Sequence, residues 1–238
     1  MSFIFYFSSE LDVTGCKAVT DVGIKGLCVS MDSFGREDKT VGLCKLIKKL
    51  AVEDTSVTKE GTRTALENLS SLKILKCDSL MVIDILADIH QEAVEQKFAS
   101  YSLTNLDIRP SWRSIFNGLL DSPYRIGSLK QAVALCPLIT EVDIIPCDRL
   151  MNAELLGLLE LKELRKLEIF LDDHLENHIT FEGGVRPLLV GLGSSLTSLK
   201  LSHLDAINIG VIVEHCPNLR LLSLEYNMSY LPSEILSR

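Results

Sequence analysis

The densest group of metal-ligand side chains is Asp172-Asp173-His174-Leu175-Glu176-Asn177-His178. Its two histidines stand at i, i+4, a spacing that binds zinc when both face one pocket on a helix. The segment follows a predicted strand, where the chain turns outward, and a solvated loop is the expected reading. No Cys-x-x-Cys pair occurs in the chain, so a structural zinc site of that type is not expected. Gly191-Leu192-Gly193-Ser194-Ser195 is glycine-rich but lacks the Gly-Lys-Ser/Thr ending of a phosphate loop. It precedes a strand and reads as a helix C-cap and turn. Serines, histidines and aspartates stand in no nucleophile-elbow context. His203 lies one residue past a strand-face position and His215 at a helix end, with no nucleophile indicated beside either. No catalytic residue, metal or cofactor is predicted, and the chain does not read as an enzyme.

Chemistry of this kind needs elements to position it, and the composition says which elements. Of 238 residues, 41 are leucine; 47% are hydrophobic and 24% charged, with a net charge of −8. A hydrophobic fraction of that size excludes a disordered chain. The acidic balance argues against a general nucleic-acid binder, which needs Lys and Arg to displace phosphate counterions. Lys45, Lys48 and Lys49 form a small basic cluster that reads as a solvated helix face. Trp112, after Arg109-Pro110-Ser111, reads as a plug in an insertion. Met1-Ser2-Phe3-Ile4-Phe5-Tyr6-Phe7 has no basic residues ahead of its short apolar run, unlike a signal peptide. No apolar stretch reaches the roughly 18 residues of a membrane span. The seven scattered cysteines fit reduced thiols in apolar settings. The expected location is the cytoplasm or nucleus.

The leucines fall in a repeat. Leu219, Leu222, Leu224 and Asn227 read L-x-x-L-x-L-x-x-N, the leucine-rich-repeat strand signature. The frame recurs at Leu196, Leu199, Leu201, at Leu164, Leu167, Ile169, and at Ile139, Val142, Ile144. It recurs at Leu103, Leu106, Ile108, at Leu69, Leu72, Ile74, and faintly at Ile47, Leu50, Val52 and Leu11, Val13. The eight anchors Leu11, Leu50, Leu72, Leu106, Val142, Leu167, Leu199 and Leu222 are spaced 39, 22, 34, 36, 25, 32 and 23 residues apart. Such repeats run about 20–29 residues, so the array is irregular, with boundaries unsettled in 17–46 and 111–138. The frame residues Cys16, Cys77, Cys147 and Asn227 fall at the bend after each strand.

A second signal recurs as Val19-Thr20…Gly23, Val57-Thr58…Gly61 and Ile179-Thr180…Gly183. Threonine is a good helix N-cap, and Asp21 and Glu60 suit a first turn. Apolar residues then recur at helical spacing, and Asn152 opens a comparable run. Each unit is a short strand followed by a returning helix. Such units bury their apolar faces only by stacking. The expected fold is an α/β leucine-rich-repeat solenoid, a horseshoe with parallel strands on the concave face and helices on the convex face. One domain of about eight repeats is expected to fill residues 1–238.

Leu11 to Cys28, reading LDVTGCKAVTDVGIKGLC, resembles the cysteine-containing repeat of the F-box/leucine-rich-repeat family. Cys216-Pro217-Asn218-Leu219-Arg220-Leu221-Leu222-Ser223-Leu224 resembles that family's helix-to-strand junction, and Cys136-Pro137-Leu138-Ile139 is a weaker version. The resemblance implies a ribonuclease-inhibitor-like horseshoe that grips the substrate of an SCF-type, cullin–RING ubiquitin ligase. In that family an N-terminal F-box docks the ligase adaptor. Here the first strand is already under way at Leu11, leaving no room for an F-box before it. The sequence therefore reads as a fragment of a longer protein, or as a repeat-only binding or inhibitor protein without a ligase link.

Strand alternation then picks the residues that would meet a protein partner. One column on the concave face contains Leu75, Arg109, Ile145 and Phe170. Neighbouring strands are about 4.8 Å apart, so these would form an apolar patch with one arginine. Asp107, Glu141, Asp143 and Glu168 would rim it. Apolar patches with polar rims mark interaction sites, and aromatic and arginine anchors are typical hot spots.

Overall fold

The computed structural model describes residues 9–28, 30–31, 37–38, 45–77, 79–92, 100–108, 124–145, 150–171 and 178–225. Eight short strands carry the eight frames: β1 (Glu10–Asp12), β4 (Lys49–Ala51), β5 (Ile74–Lys76), β6 (Asn105–Ile108), β7 (Glu141–Ile144), β8 (Lys166–Phe170), β9 (Ser198–Ser202) and β10 (Leu221–Glu225). They form two parallel sheets, β1-β4-β5 and β10-β9-β8-β7-β6. β2 (Ser30–Met31) and β3 (Glu37–Asp38) make a separate antiparallel pair.

Just ahead of the strands runs a hydrogen-bond ladder that spans both sheets. The Ser9 carbonyl accepts from Lys48 N–H, Lys48 from Lys73, Lys73 from Thr104, Thr104 from Thr140, Thr140 from Arg165, Arg165 from Thr197, and Thr197 from Arg220, all at 2.7–2.9 Å. The Lys73–Thr104 rung at 2.8 Å carries the ladder from the first sheet to the second. Thr104, Thr140 and Thr197 hydroxyls add a contact to the same carbonyls.

The helices among the described residues are α1 (Asp21–Cys28), α2 (Lys59–Asn68), α3 (Ser79–Glu92), α4 (Ser128–Leu135), α5 (Asn152–Leu155), α6 (Arg186–Leu192) and α7 (Ile209–His215). A 3₁₀ turn over Leu156–Glu160 extends α5, and a wide turn over Phe181–Val185 leads into α6. They pack in chain order: α1 on α2, α2 on α3, α3 on α4, α4 on the 3₁₀ turn, that turn on α6, and α6 on α7.

The core lies between the helices and the sheets. Leu50, Val142, Leu167 and Leu199 are fully buried, as are their i+2 partners Ile169 and Leu201. Each such side chain contributes roughly 1.5–3 kcal/mol by leaving water, so the leucine ladder dominates stability. In β10, the last described strand, Leu222 aligns with Leu199 yet is 41% exposed.

The structure moves two expectations. Leu50 pairs with Leu75, not with Leu72, so the frame at 69–77 slips by three residues to Leu72, Leu75, Cys77. Leu72 then matches Ile47, the residue three before the anchor, and both are buried. Lys48 and Lys49 do not lie on a helix: Lys49 is in β4 and its ammonium meets Glu10 at 3.1 Å. Asn152 opens α5 as expected, with Met151 at the N-cap. The Asn152 side chain also serves the next unit, accepting from Thr180 N–H at 2.9 Å and donating to the Thr180 hydroxyl at 3.2 Å.

The expected caps form at Thr58 and Thr180, whose hydroxyls accept from Glu60 N–H at 3.2 Å and Gly183 N–H at 3.0 Å. Gly193 follows α6 as expected, its N–H donating to the Leu189 carbonyl at 2.8 Å. A Cβ there would overlap the His215 carbonyl. Among the described residues no helix is long and apolar enough to cross a membrane.

Candidate functional site

Because successive strand residues alternate, burying Leu106, Ile108, Val142, Ile144, Leu167 and Ile169 turns the residues between them outward. Register stacks these into rows. Asn105, Glu141, Lys166, Ser198 and Leu221 align across β6–β10, followed by Asp107, Asp143, Glu168, Lys200 and Ser223. The last row contains Phe170, Ser202 and Glu225, with Ile145 just past the end of β7.

Charges on this face are largely paired. Lys166 Nζ sits 3.3 Å from Asp143 Oδ1 and 3.0 Å from Glu168 Oε1. Lys200 Nζ sits 2.8 Å from Glu225 Oε1, and Asn105 Nδ2 donates to Glu141 Oε2 at 2.8 Å. Burial pushes the Asp143 carboxyl above its ordinary range; Lys166 opposes this, and neighbouring Glu168 and Asp107 add to it. The Lys166 ammonium is raised although burial works against it, because Glu168 and Asp143 both hold its proton. Lys200, in turn, holds Glu225 below the usual carboxylate range.

The last row differs. Phe170 is 37% exposed at the end of β8, and its ring lies 5.1 Å from that of His203, tilted by 43°. His203 adopts φ +58° right after β9, a left-handed turn that few side chains accept. Ser202, beneath it, is fully buried and donates to Glu225 Oε2 at 3.3 Å. A hollow of about 190 Å³ opens between Ile145, Phe170, Asp143, Glu168, Lys200 and Ser202. Its floor is sheet and its lip is apolar on one side and ionic on the other.

Of the predicted contact residues, the structure brings Ile145, Phe170, Asp143 and Glu168 to this hollow. On the same sheet face Asp107 lies beside Asp143 in its row, and Glu141 lies in the row before it. Leu75 is a correction: it is 9% exposed and faces the core opposite Leu50. The three-residue slip in its frame exchanges an outward position for an inward one. Arg109 lies outside the described residues, as do Trp112, Cys147, Asn227 and the Asp172–Asn177 part of the histidine-rich segment. The predicted rim holds acids alone, whereas Lys166 and Lys200 sit among them. Their place in the same alternating columns was the available signal.

The ionisable groups lining the hollow are Asp143 and Glu168, both paired with Lys166, and Lys200, paired with Glu225. Among the described residues no group of His, Cys, Asp and Glu is disposed to hold a metal ion. No family model matches the chain, and no curated protein matches it.

Proposed function

We propose that this chain is a leucine-rich-repeat solenoid acting as a protein-binding module, with the open face of its second sheet receiving the partner. The ladder from Ser9 to Arg220, the in-register leucines and the chain-order packing of the helices support stacked units in a horseshoe. The observation that carries the binding reading is Phe170. It is a large aromatic left 37% exposed on a sheet face whose charges are largely paired, beside a hollow it shares with Ile145. Aromatic anchors next to partly desolvated charges concentrate binding energy at interfaces.

The setting we propose, by the resemblance of its cysteine-containing repeats, is substrate recognition for a cullin–RING ubiquitin ligase in the cytoplasm or nucleus. A repeat-only binder or inhibitor is the alternative. Photo-crosslinkers placed at 145 and 170 test the face, with one at the exposed helix-layer residue Lys130 as control. The same protein is expected to be captured from 145 and 170 and not from 130, and Phe170→Ala is expected to abolish its binding while circular dichroism stays unchanged. Unchanged binding by that variant overturns the reading. Binding of purified ligase adaptor to the gene product with its native upstream sequence separates the ligase setting from the alternative.

A further inference from the structure

The opposite ends of the same strands carry a second feature. The residues immediately ahead of β8, β9 and β10 are Arg165, Thr197 and Arg220, successive rungs of the backbone ladder. Together with Glu163, Ser195 and Asn218 they line a hollow of about 340 Å³.

The neutral polar groups of this hollow are already used. Ser195 donates to the Leu164 carbonyl at 2.7 Å, Thr197 to the Arg165 carbonyl at 3.2 Å, and Asn218 Nδ2 to the Ser194 carbonyl at 2.7 Å. The guanidinium groups are not. Arg165 has only a long contact, 3.9 Å to Glu163, between side chains that are both about two-thirds exposed. Arg220 makes no side-chain hydrogen bond or ion pair among the described residues. In a chain of net charge −8, two uncommitted arginines on one hollow are out of keeping with the balance.

Two strand steps of about 4.8 Å place Arg165 and Arg220 roughly 10 Å apart at their backbones. At that separation both forks reach one anionic group from opposite sides, with N–H···O contacts of about 2.8 Å. A single carboxylate is satisfied by one fork. Two forks, partly offset by Glu163, match a dianion with three acceptor oxygens. The same ladder continues to Lys73 and Lys48, both exposed and without side-chain ion pairs among the described residues, so the edge favours an acidic segment along its length.

We propose that this hollow is a phosphoryl-binding site, in which Arg165 and Arg220 close on a phosphoserine or phosphothreonine of a protein partner. It lies at the other end of β8 from Phe170 and does not depend on the sheet-face reading.

Titration calorimetry of the full chain tests it with Ala-Ala-phosphoserine-Ala-Ala, the unphosphorylated peptide and inorganic phosphate. The phosphopeptide is expected to bind at least tenfold more tightly than either. Arg165→Gln and Arg220→Gln are each expected to weaken it tenfold or more, with circular dichroism unchanged. Glu163→Gln is expected to tighten it severalfold by removing the like charge. The proposal is overturned if the two peptides bind equally, if inorganic phosphate binds as tightly as the phosphopeptide, or if binding survives in the Arg165→Gln/Arg220→Gln double variant.

Discussion

Asp21 and Thr58 are 37 residues apart and joined by two hydrogen bonds. Thr58 N–H donates to Asp21 Oδ1 at 2.8 Å, and the Thr58 hydroxyl to Asp21 Oδ2 at 2.6 Å. Asp21 opens α1 and Thr58 caps α2, so the first turn of one unit locks the cap of the next. The carboxylate lies over Gly61, where any Cβ would overlap Oδ1. Alanine normally improves a helix interior by about 1 kcal/mol over glycine. Here Gly61→Ala is expected to destabilise by about 1–3 kcal/mol through overpacking, while Gly23→Ala, whose Cβ meets only Val19 at 3.8 Å, is not. Urea unfolding of the two variants decides the sign.

The same lock recurs between Asn152 and Thr180 with an amide in place of the carboxylate, and Gly183 lies under Asn152 as Gly61 lies under Asp21. An amide therefore performs this task. Asp21→Asn is expected to cost under about 0.5 kcal/mol, and Asp21→Ala or Asn152→Ala about 1–2 kcal/mol, the range of a lost cap. Hydrogen exchange over Phe181–Leu192 is expected to quicken in Asn152→Ala before that of β6–β8.

Leucines of the same frame separate by place in the stack. Leu167→Ala and Leu75→Ala are expected to cost about 2–5 kcal/mol, as buried large-to-small changes do. Leu222→Ala should cost well under half of that, since the side chain is already 41% exposed. Equal losses at Leu167 and Leu222 would contradict this difference in burial.

Across the helix layer Asp88 accepts Lys59 Nζ at 2.7 Å and Arg125 Nη1 at 2.8 Å, and Arg125 also reaches Asp84 at 3.1 Å. Burial raises the Asp88 carboxyl, but Lys59 and Arg125 together outweigh it and hold the group below its ordinary range. The folded state therefore binds this proton less readily than the unfolded chain. The pairing contributes fully above the unfolded value of about 3.9 and is lost as pH falls through the lower folded value. Asp88→Asn is expected to cost about 1 kcal/mol at pH 7, the scale of partly exposed pairs. That difference should shrink with added salt and as pH drops below about 4.

Burial pushes the Cys136 thiol up to about 12, whereas Cys16 is exposed. The thiolate is the reacting species. Alkylation with iodoacetamide at pH 8 is expected to label Cys16 and to spare Cys136 until urea unfolds the chain, as read by mass spectrometry.

The strand frames were legible because leucines at i, i+3 and i+5 mark an inward-facing strand whatever the rest of the chain does. The exception is instructive. Between Leu66 and Leu75, leucines at 66, 69, 72 and 75 fit two frames three residues apart, and only pairing with Leu50 chooses between them. That choice sent Leu75 into the core and removed it from the candidate contact surface. Phe170 and Ile145 were legible as outward residues, but the hollow between them depends on side chains from β7, β8 and β9 that no single repeat contains.

The sequence by itself determined the recurring strand frames, most of the inward leucines and the Thr-x-x-Gly caps, because each depends on residues close together in the chain. Tertiary structure alone decided what each cap was for. Thr58 and Gly61 are a receptor for Asp21, and Thr180 and Gly183 one for Asn152, since stacking brings one unit's first turn onto the next unit's cap. It also decided which charges are paired within the chain. Lys166 and Lys200 are neutralised by carboxylates on adjacent strands, while Arg165 and Arg220 have no acid on the neighbouring rung. Register across strands, which local sequence does not encode, makes that difference.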